Sequence, residues 1–526
     1  MTAMRLKAII TAVAVLAALC HTAGCRAQGR PDWGDMGDGT YRNPILNADY
    51  SDPDAIRVGS RFYMVASDFH FTGMQVLESE DLVNWKIISQ VYDRFDLPGW
   101  DTNSHYAGGS WAPAIRYHDG LFYVFFCTPD EGLFMSTAAD PHGPWAPLHC
   151  VRKVRKWEDP CPLWDDDGQA YLAHSVHGAG PIIVHRMSQD GRELLDEGQT
   201  VYSGPVAEGP KWLRRDGYYY LSIPEGGVRT GWQTMLRSRS IYGPYERRIV
   251  LEQGTTAING PHQGALVDTP DGEWWFIHFQ SVNPTGRVVH LQPARWRDGW
   301  IEIGEDYDGN GTGEPVGAYR KPQVKAETRP AIPDMSDEFG DNDLYWRGSR
   351  QSALGLQWQW CHNPVDSAWS LTEREGWLTL HAQKAPGLKE CRTMLTHKTI
   401  GQRGEVTVMM DCRGITGGTS AGLLCTGKEF RAIGVCGSGI YTEADGRREI
   451  VSRKHPKTIY LRAAIDSKAN VYRFYYSTDG KKYTPAGSTF TMRDGYWKGV
   501  RTGVYCYNTD GDGGTAQFDW FRYELK

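Results

Sequence analysis

Three acids, an indole and an amide stand at one phase of an imperfect repeat. Aromatic-centred pairs at Phe62-Tyr63, Phe122-Tyr123, Ala170-Tyr171, Tyr219-Tyr220 and Trp274-Trp275 follow one another at intervals of 60, 48, 49 and 55 residues. Counting back from the second member of each pair reaches Asp52 at 11 residues and Trp111, Asp159, Glu208 and Gln263 at 12, with His262 beside the last. Residues in one phase of a repeat occupy the same place in each unit. Three carboxylates gathered in one confined space repel, so at least one should keep its proton well above the ordinary Glu value of about 4.3. One protonated acid facing one ionised base is the arrangement that cleaves glycosidic bonds. A third acid can serve without touching the breaking bond, because its charge raises the proton affinity of the acid beside it.

Each of these residues also has an ordinary reading. Asp-Pro opens turns, so Asp52-Pro53 and Asp159-Pro160 can be structural, and Asp54 competes with Asp52 for the role of base. Glu208, before Gly209-Pro210, can be a solvated loop acid. Trp111 reads as core or as a face on which a sugar ring stacks. His262 reads as a satisfied interior histidine or as a neighbour, through water, of a structural calcium, an ion that prefers oxygen ligands. Arg287 reads as the partner of a buried acid, of a substrate, or of both.

The repeat says what must position them. Asp119-Gly120, Asp167-Gly168, Asp216-Gly217 and Asp271-Gly272 precede four of the pairs, and Gly59-Ser60 precedes the first. A strand, an Asp-Gly turn and an aromatic-rich strand such as Phe122-Tyr123-Val124-Phe125-Phe126 make a hairpin. A period of about 50 residues is that of propeller blades. In a propeller the first strand of each blade lines the axis, so the phased residues converge there. The outer part repeats as well: Trp85 and Trp145 each lie 22 residues beyond Tyr63 and Tyr123.

The 526 residues are enough for two or three domains, and 60 Gly with 20 Trp and few long helical stretches indicate all-β architecture. The net charge of −6 is spread out, which argues against nucleic acid as a partner, and no apolar run of 18 or more residues argues for a membrane span. Arg5 and Lys7 before an apolar run at 8–19 and small residues near Cys25 and Ala27 have the layout of a signal peptide over 1–27. Cleavage after Ala27 would release a periplasmic or extracellular protein, whereas Cys25 behind Ala23-Gly24 resembles a lipoprotein box and would carry a lipid anchor. Nine further cysteines are loosely spaced, without a Cys-x-x-Cys pair, and read mostly as buried apolar side chains, with one or two bridges permitted by export. The catalytic propeller is placed at 38–305 and a linker at 306–333. A β-sandwich follows at 334–526, with strands such as 405–410 and 470–476.

The motifs together resemble glycoside hydrolase family 43, over residues 41–300. They are Asn43-Pro44 followed by Asp52-Pro53, Gly109-Ser110-Trp111-Ala112-Pro113, Asp159-Pro160, Glu208-Gly209-Pro210, Gly260-Pro261-His262-Gln263-Gly264 and Gly286-Arg287. The resemblance implies a five-bladed propeller enzyme that acts with inversion on arabinose- and xylose-containing plant polysaccharides or oligosaccharides. It implies Asp52 as general base, Asp159 as the residue that orients the acid and adjusts its proton affinity, and Glu208 as general acid. It assigns Trp111 to the sugar-binding wall and His262 and Arg287 to the pocket floor. Residues 334–526, from Asp337-Glu338-Phe339 to Phe518-Asp519-Trp520-Phe521, resemble the concanavalin-like jelly roll appended to xylosidases of that family.

The expectation is therefore an exo-acting enzyme that removes terminal α-L-arabinofuranosyl or β-D-xylosyl units by single displacement and needs no metal or organic cofactor. Phe69-His70-Phe71 stands where related xylosidases carry a different aromatic-acid-aromatic run, so Phe69 and His70 bear on which sugar is taken. Gln263 joins the substrate-binding set through its phase. The other readings are an endo-arabinanase and a sugar-binding propeller without catalysis. The sandwich either binds polysaccharide through aromatics such as Trp358 and Trp360 or braces the propeller and sends a loop toward the pocket, and bracing is the reading preferred.

Overall fold

A computed structural model of the protein describes residues 31–326, 328–340 and 354–526. The signal segment expected over 1–27, with Cys25 as a lipid anchor, lies outside the described residues. Residues 51–303 form five sheets of four strands each. Their first strands are Ser51–Val58, Trp111–His118, Trp157–Trp164, Lys211–Arg215 and His262–Asp268. Each sheet is an antiparallel meander of consecutive chain, so no strand is exchanged between the first blade and the last. The first strand of blade one packs against those of blades two and five, and that of blade three against those of blades two and four. Blade four meets blade five, which closes the ring.

The local chemistry explains the hairpins. Asp119-Gly120 and Asp216-Gly217 place both residues at positive φ, 46° and 81°, then 50° and 73°. That backbone matches the right-handed twist of the flanking strands, and Asp and Gly tolerate it best. The strands that follow, Leu121–Thr128 and Tyr218–Glu225, are rich in the aromatic and β-branched residues that fill a pleated, buried surface.

The two ends of the propeller are tied by a small sheet in which Thr40–Arg42 pairs with Gly34–Asp35 on one side and Ala318–Arg320 on the other. The stretch read as a linker over 306–333 thus contains a strand. Its Asp-Gly-Asn run and its prolines suggested loop, yet Arg320 pairs with Glu273 at 2.7 Å and Lys321 with Asp35 at 2.7 Å and Asp81 at 2.6 Å.

The C-terminal region is a sandwich of an eight-stranded and a seven-stranded sheet. Strands such as Thr458–Asp466 alternate strictly between buried and half-buried positions, the signature of one face on a core. Helical structure among the described residues is confined to two single turns, Asp366–Ala368 and Leu388–Glu390, and no helix is long and apolar enough to cross a membrane. All nine described cysteines are free thiols, and all but Cys150 are buried.

The two domains share one core. A continuous apolar cluster runs from Tyr50 and Leu291 of the propeller to Trp358, Leu395 and Phe521 of the sandwich. Trp358 and Trp360 are buried in that cluster, and the Trp358 indole N–H donates to Asp337 at 2.8 Å. Neither presents a face to polysaccharide, so that reading of these two aromatics is corrected. Buried side by side at the same seam are Lys398, Lys498 and Arg501 from the sandwich and Asp49 and Asp68 from the propeller. Burial alone would raise Asp68, but Lys398 at 2.9 Å, with Lys498 and Arg501 behind it, overrides this and holds the carboxyl down at about 2.

A group depressed on folding contributes stability that is fully present above its unfolded value of about 4 and lost as pH falls through its folded value. Acid should therefore loosen this seam between pH 4 and pH 2. The expected result is that Asp68→Asn lowers the urea midpoint at pH 6 but flattens the loss of stability from pH 4 to pH 2 relative to wild type. Parallel acid limbs in the two proteins would exclude it.

Candidate active site

The first strands of blades one, two, three and five each carry a bulge at the phased position. Register shifts between Ser51 and Asp54, between Trp111 and Ala114, between Glu158 and Cys161, and between His262 and Gly264. Bulges re-aim side chains out of the pleat. The residues that take up the distortion have positive φ: Asp52 at 53°, Ala112 at 27°, Asp159 at 58° and Gln263 at 39°. Non-glycine residues in this region cost on the order of 1–3 kcal/mol each and persist where the surroundings force them. In blade four, Glu208 instead precedes its strand, with Val206 at φ 56° and Gly209 at φ 58°. A Cβ on Gly209 would approach Gln263 and Pro224 to 2.9 Å, so only glycine fits.

The four bulges, and the distorted entry to blade four, bring Asp52, Trp111, Asp159, Gln263 and Glu208 into one cavity of about 350 Å³. Phe69 and Arg287 also line it, along with Glu158, His177 and Trp497. Asp52 is nearly buried. Its Oδ2 accepts from Ser51 Oγ at 2.8 Å and Ser67 Oγ at 2.6 Å, and its Oδ1 from Arg287 Nη1 at 2.5 Å. Asp159 accepts from Ser175 Oγ at 2.8 Å and from the Gly209 amide at 2.7 Å. Glu208 keeps 19% side-chain exposure, and His262 Nε2 lies 3.0 Å from its Oε1. Trp111 donates to Ala107 O at 2.9 Å and packs near Phe69, His177 and Trp497.

One oxygen each of Glu158, Asp159 and Glu208 lie within 4.8 Å of one another, and Asp52 is not part of that trio. Burial first, and then repulsion from Glu208 and Asp52, raises Asp159 above the ordinary carboxylate range. Burial, followed by Asp159 and Glu208, raises Glu158 further. The repulsion expected among the acids thus falls on Asp159 and on Glu158, which the repeat phase did not single out. Its adjacency to Asp159 in Trp157-Glu158-Asp159-Pro160 was the available signal. These three are also the group among the described residues with metal-ligand spacing. A cation there must first displace protons that burial and repulsion hold in place, and His262, the residue first linked to calcium, meets Glu208 alone among these acids.

Asp54, the competing base, faces elsewhere. It is fully buried, its Oδ2 accepting from Arg116 Nη1 at 2.6 Å and from the Ile115 amide at 2.8 Å. Removing one partner of a buried ion pair costs about 3–5 kcal/mol. Asp54→Asn is therefore expected to lower the melting temperature while leaving turnover per folded molecule within about threefold. A hundredfold loss of turnover at unchanged melting temperature would return Asp54 to the candidates for base.

His70 is not among the residues that line the cavity. Phe69, at φ 52°, reverses the chain so that its own ring faces the cavity and His70 points into the domain seam. There the imidazole packs 4.3 Å from Phe71, 4.8 Å from Tyr106 and 5.2 Å from His362. Burial first, then His362, Arg501 and Lys498, drives it well below the ordinary histidine value. His70 is a neutral spacer between domains, and its proposed contact with substrate is corrected. In its place the sandwich supplies Trp497, half exposed at the rim. No period in the blades could reveal it.

The sequence profile of glycosyl hydrolases family 43 matches residues 41–301, and that of the β-xylosidase C-terminal concanavalin A-like domain matches residues 350–524. A protein of Xylanibacter ruminicola, provisionally named a β-xylosidase, is 60% identical over 471 residues, covering 90% of this chain and 87% of its own. A non-reducing end α-L-arabinofuranosidase of Bacteroides ovatus is 33% identical over 369 residues, 65% of each chain. A crystal structure of a family 43 protein from Bacillus licheniformis superposes with a TM-score of 0.80 at 28% identity, over 93% of this chain and 100% of that one.

Proposed function

The chain belongs to glycosyl hydrolase family 43 and is a glycoside hydrolase, and on that premise we propose that it removes terminal β-D-xylosyl or α-L-arabinofuranosyl units from plant cell-wall polysaccharides or oligosaccharides with inversion. The observation that carries the reading is that Asp52 and the trio Glu158, Asp159 and Glu208 line one cavity, brought there by the bulged or distorted edges of three blades. Glu208, the most exposed of the acids, gives its proton to the departing glycosidic oxygen. Asp52, held by two hydroxyls and Arg287, takes a proton from the water that attacks the anomeric carbon from the opposite face. Inversion needs roughly 6.5–9.5 Å between those two carboxyls, so that the water fits. Asp159 and Glu158 act through Glu208: protons in such a cluster belong to the group rather than to one member. The buried Gln263 Nε2 and Glu158 Oε1, which have no hydrogen-bond partner in the protein, are available to sugar hydroxyls.

Exo action is supported by the size of the cavity, at the low end of the roughly 300–1,000 Å³ of small-molecule sites. Trp111, Phe69 and Trp497 wall it from both domains. The reading requires no metal or cofactor, and it includes export, as a released or a lipid-anchored protein. The test is hydrolysis of p-nitrophenyl β-D-xyloside and p-nitrophenyl α-L-arabinofuranoside, with the first anomer followed by NMR. Monosaccharide of inverted configuration is expected. A retained anomer removes the single displacement, oligomers released first from arabinan or xylan establish endo action, and no hydrolysis of any of these leaves a sugar-binding propeller.

A further inference from the structure

The turn Gly495–Lys498 of the sandwich meets the propeller at the catalytic base. Gly495 and Lys498 exchange both backbone hydrogen bonds, at 2.9 and 3.0 Å, and the two central residues, Tyr496 and Trp497, have φ of 56° and 66°. A two-residue turn with both φ positive normally takes Asn-Gly, so two bulky aromatics there are held against their own preference. The turn is clamped: Val500 N donates to Pro284 O at 2.9 Å, and a Cβ on Gly499 would come within 1.8 Å of Thr285 O. Its geometry puts Trp497 at the cavity rim and the next side chain, Lys498, into the interior, 2% exposed.

Two routes lead from Lys498 to Asp52. Lys498 Nζ lies 2.8 Å from Asp49 Oδ2, whose other oxygen accepts from the Arg287 amide at 2.9 Å, and Arg287 Nη1 donates to Asp52 Oδ1. Lys498 Nζ also donates to Ser67 O at 3.0 Å, and Ser67 Oγ donates to Asp52 Oδ2 while accepting from the Ala112 amide. We propose that Lys498 is a positioning residue of the hydrolysis: from the second domain it sets the orientation and charge balance of Asp52 through Asp49-Arg287 and Ser67. Burial would raise Asp49, and Lys498 first, then the Arg287 amide and Lys398, together outweigh it and hold the carboxyl below its ordinary value. The other charges facing this pair are Asp68, 3.8 Å from Lys498 Nζ but paired more closely by Lys398 at 2.9 Å, Arg501, stacked on Phe71, and Asp494, which feels both Asp49 and Arg287.

The inference rests on Asp52 being the base. The experiment uses the full chain with Lys498→Met and, separately, Asp49→Asn, checked for folding by near-UV circular dichroism. Both are assayed across pH on whichever of the two aryl pentosides the wild type cuts. A small misplacement of a reacting group is expected to lower kcat of Lys498→Met on the order of 10- to 100-fold, with KM changed less than about threefold. The two variants should move the acid limb of kcat/KM in opposite directions. Lys498→Met leaves Asp49 as an unbalanced anion near Asp52 and moves it to higher pH, and Asp49→Asn leaves an unbalanced cation and moves it lower, each by about half a unit or more.

A merely structural lysine would lower the melting temperature and leave kcat and the limb of the folded protein unmoved, which overturns the inference. Should Lys498→Met not fold, the direction of the Asp49→Asn limb decides. An active wild type with unmoved variants sinks this inference alone, whereas a wild type inert on both aryl pentosides overturns it together with the function it rests on.

Discussion

Glu208→Gln is expected to lower kcat on an unactivated disaccharide by about 10²–10⁴-fold, the usual contribution of a positioned general acid. The glutamine keeps the shape beside His262 and the two neighbouring acids but has no proton to give. The leaving oxygen must then depart as an alkoxide. A p-nitrophenolate leaves without that help, so the same variant should lose at least about tenfold less on an aryl pentoside than on the disaccharide. The ratio of the two losses is the measurement. Equal losses would mean that Glu208 acts on something other than the departing group, and a loss under about tenfold on both would remove it from the chemistry.

Asp52→Asn should lose a comparable factor, about 10²–10⁴, but equally on both substrates, because every leaving group requires an activated water. The amide can still accept from Ser67 or Arg287 through its oxygen, so binding should survive and KM should change little. Together the two variants separate the roles by leaving-group dependence rather than by the size of the loss. If the Asp52→Asn loss follows the leaving group, or if it appears in KM with kcat intact, the base lies elsewhere.

Much of this centre was legible before any coordinates. Asp52, Trp111, Asp159, Glu208 and Gln263 share a phase because each occupies the bulge or distorted entry of an innermost strand. A bulge at nearly the same point of blades one, two, three and five keeps the count of residues to the following aromatic pair within one. Asp54 could not be separated from Asp52 by spacing, since what distinguishes them is the bulge between them, which turns one into the cavity and the other toward Arg116. His70 misled because an aromatic run says nothing of which ring faces which way, and a positive φ at Phe69 reversed the expected one. Trp358 and Trp360 left two readings open, because indoles suit both a sugar face and a domain seam, and here the seam holds them. Trp497 and Lys498 belong to no blade, so no argument from the repeat could reach them.

The turn Gly495–Lys498 also bears on how the two halves of this chain can change over generations. Each half has its own sheets, yet the two share one core, and one dipeptide of the second gives the first both a rim indole and a buried cation. Grafting this sandwich onto a foreign partner, or trading it for another, would carry away part of the reaction centre along with the brace. Drift at Asp49 or Pro284 must be answered across the seam, which ties the ancestry of one module to the other.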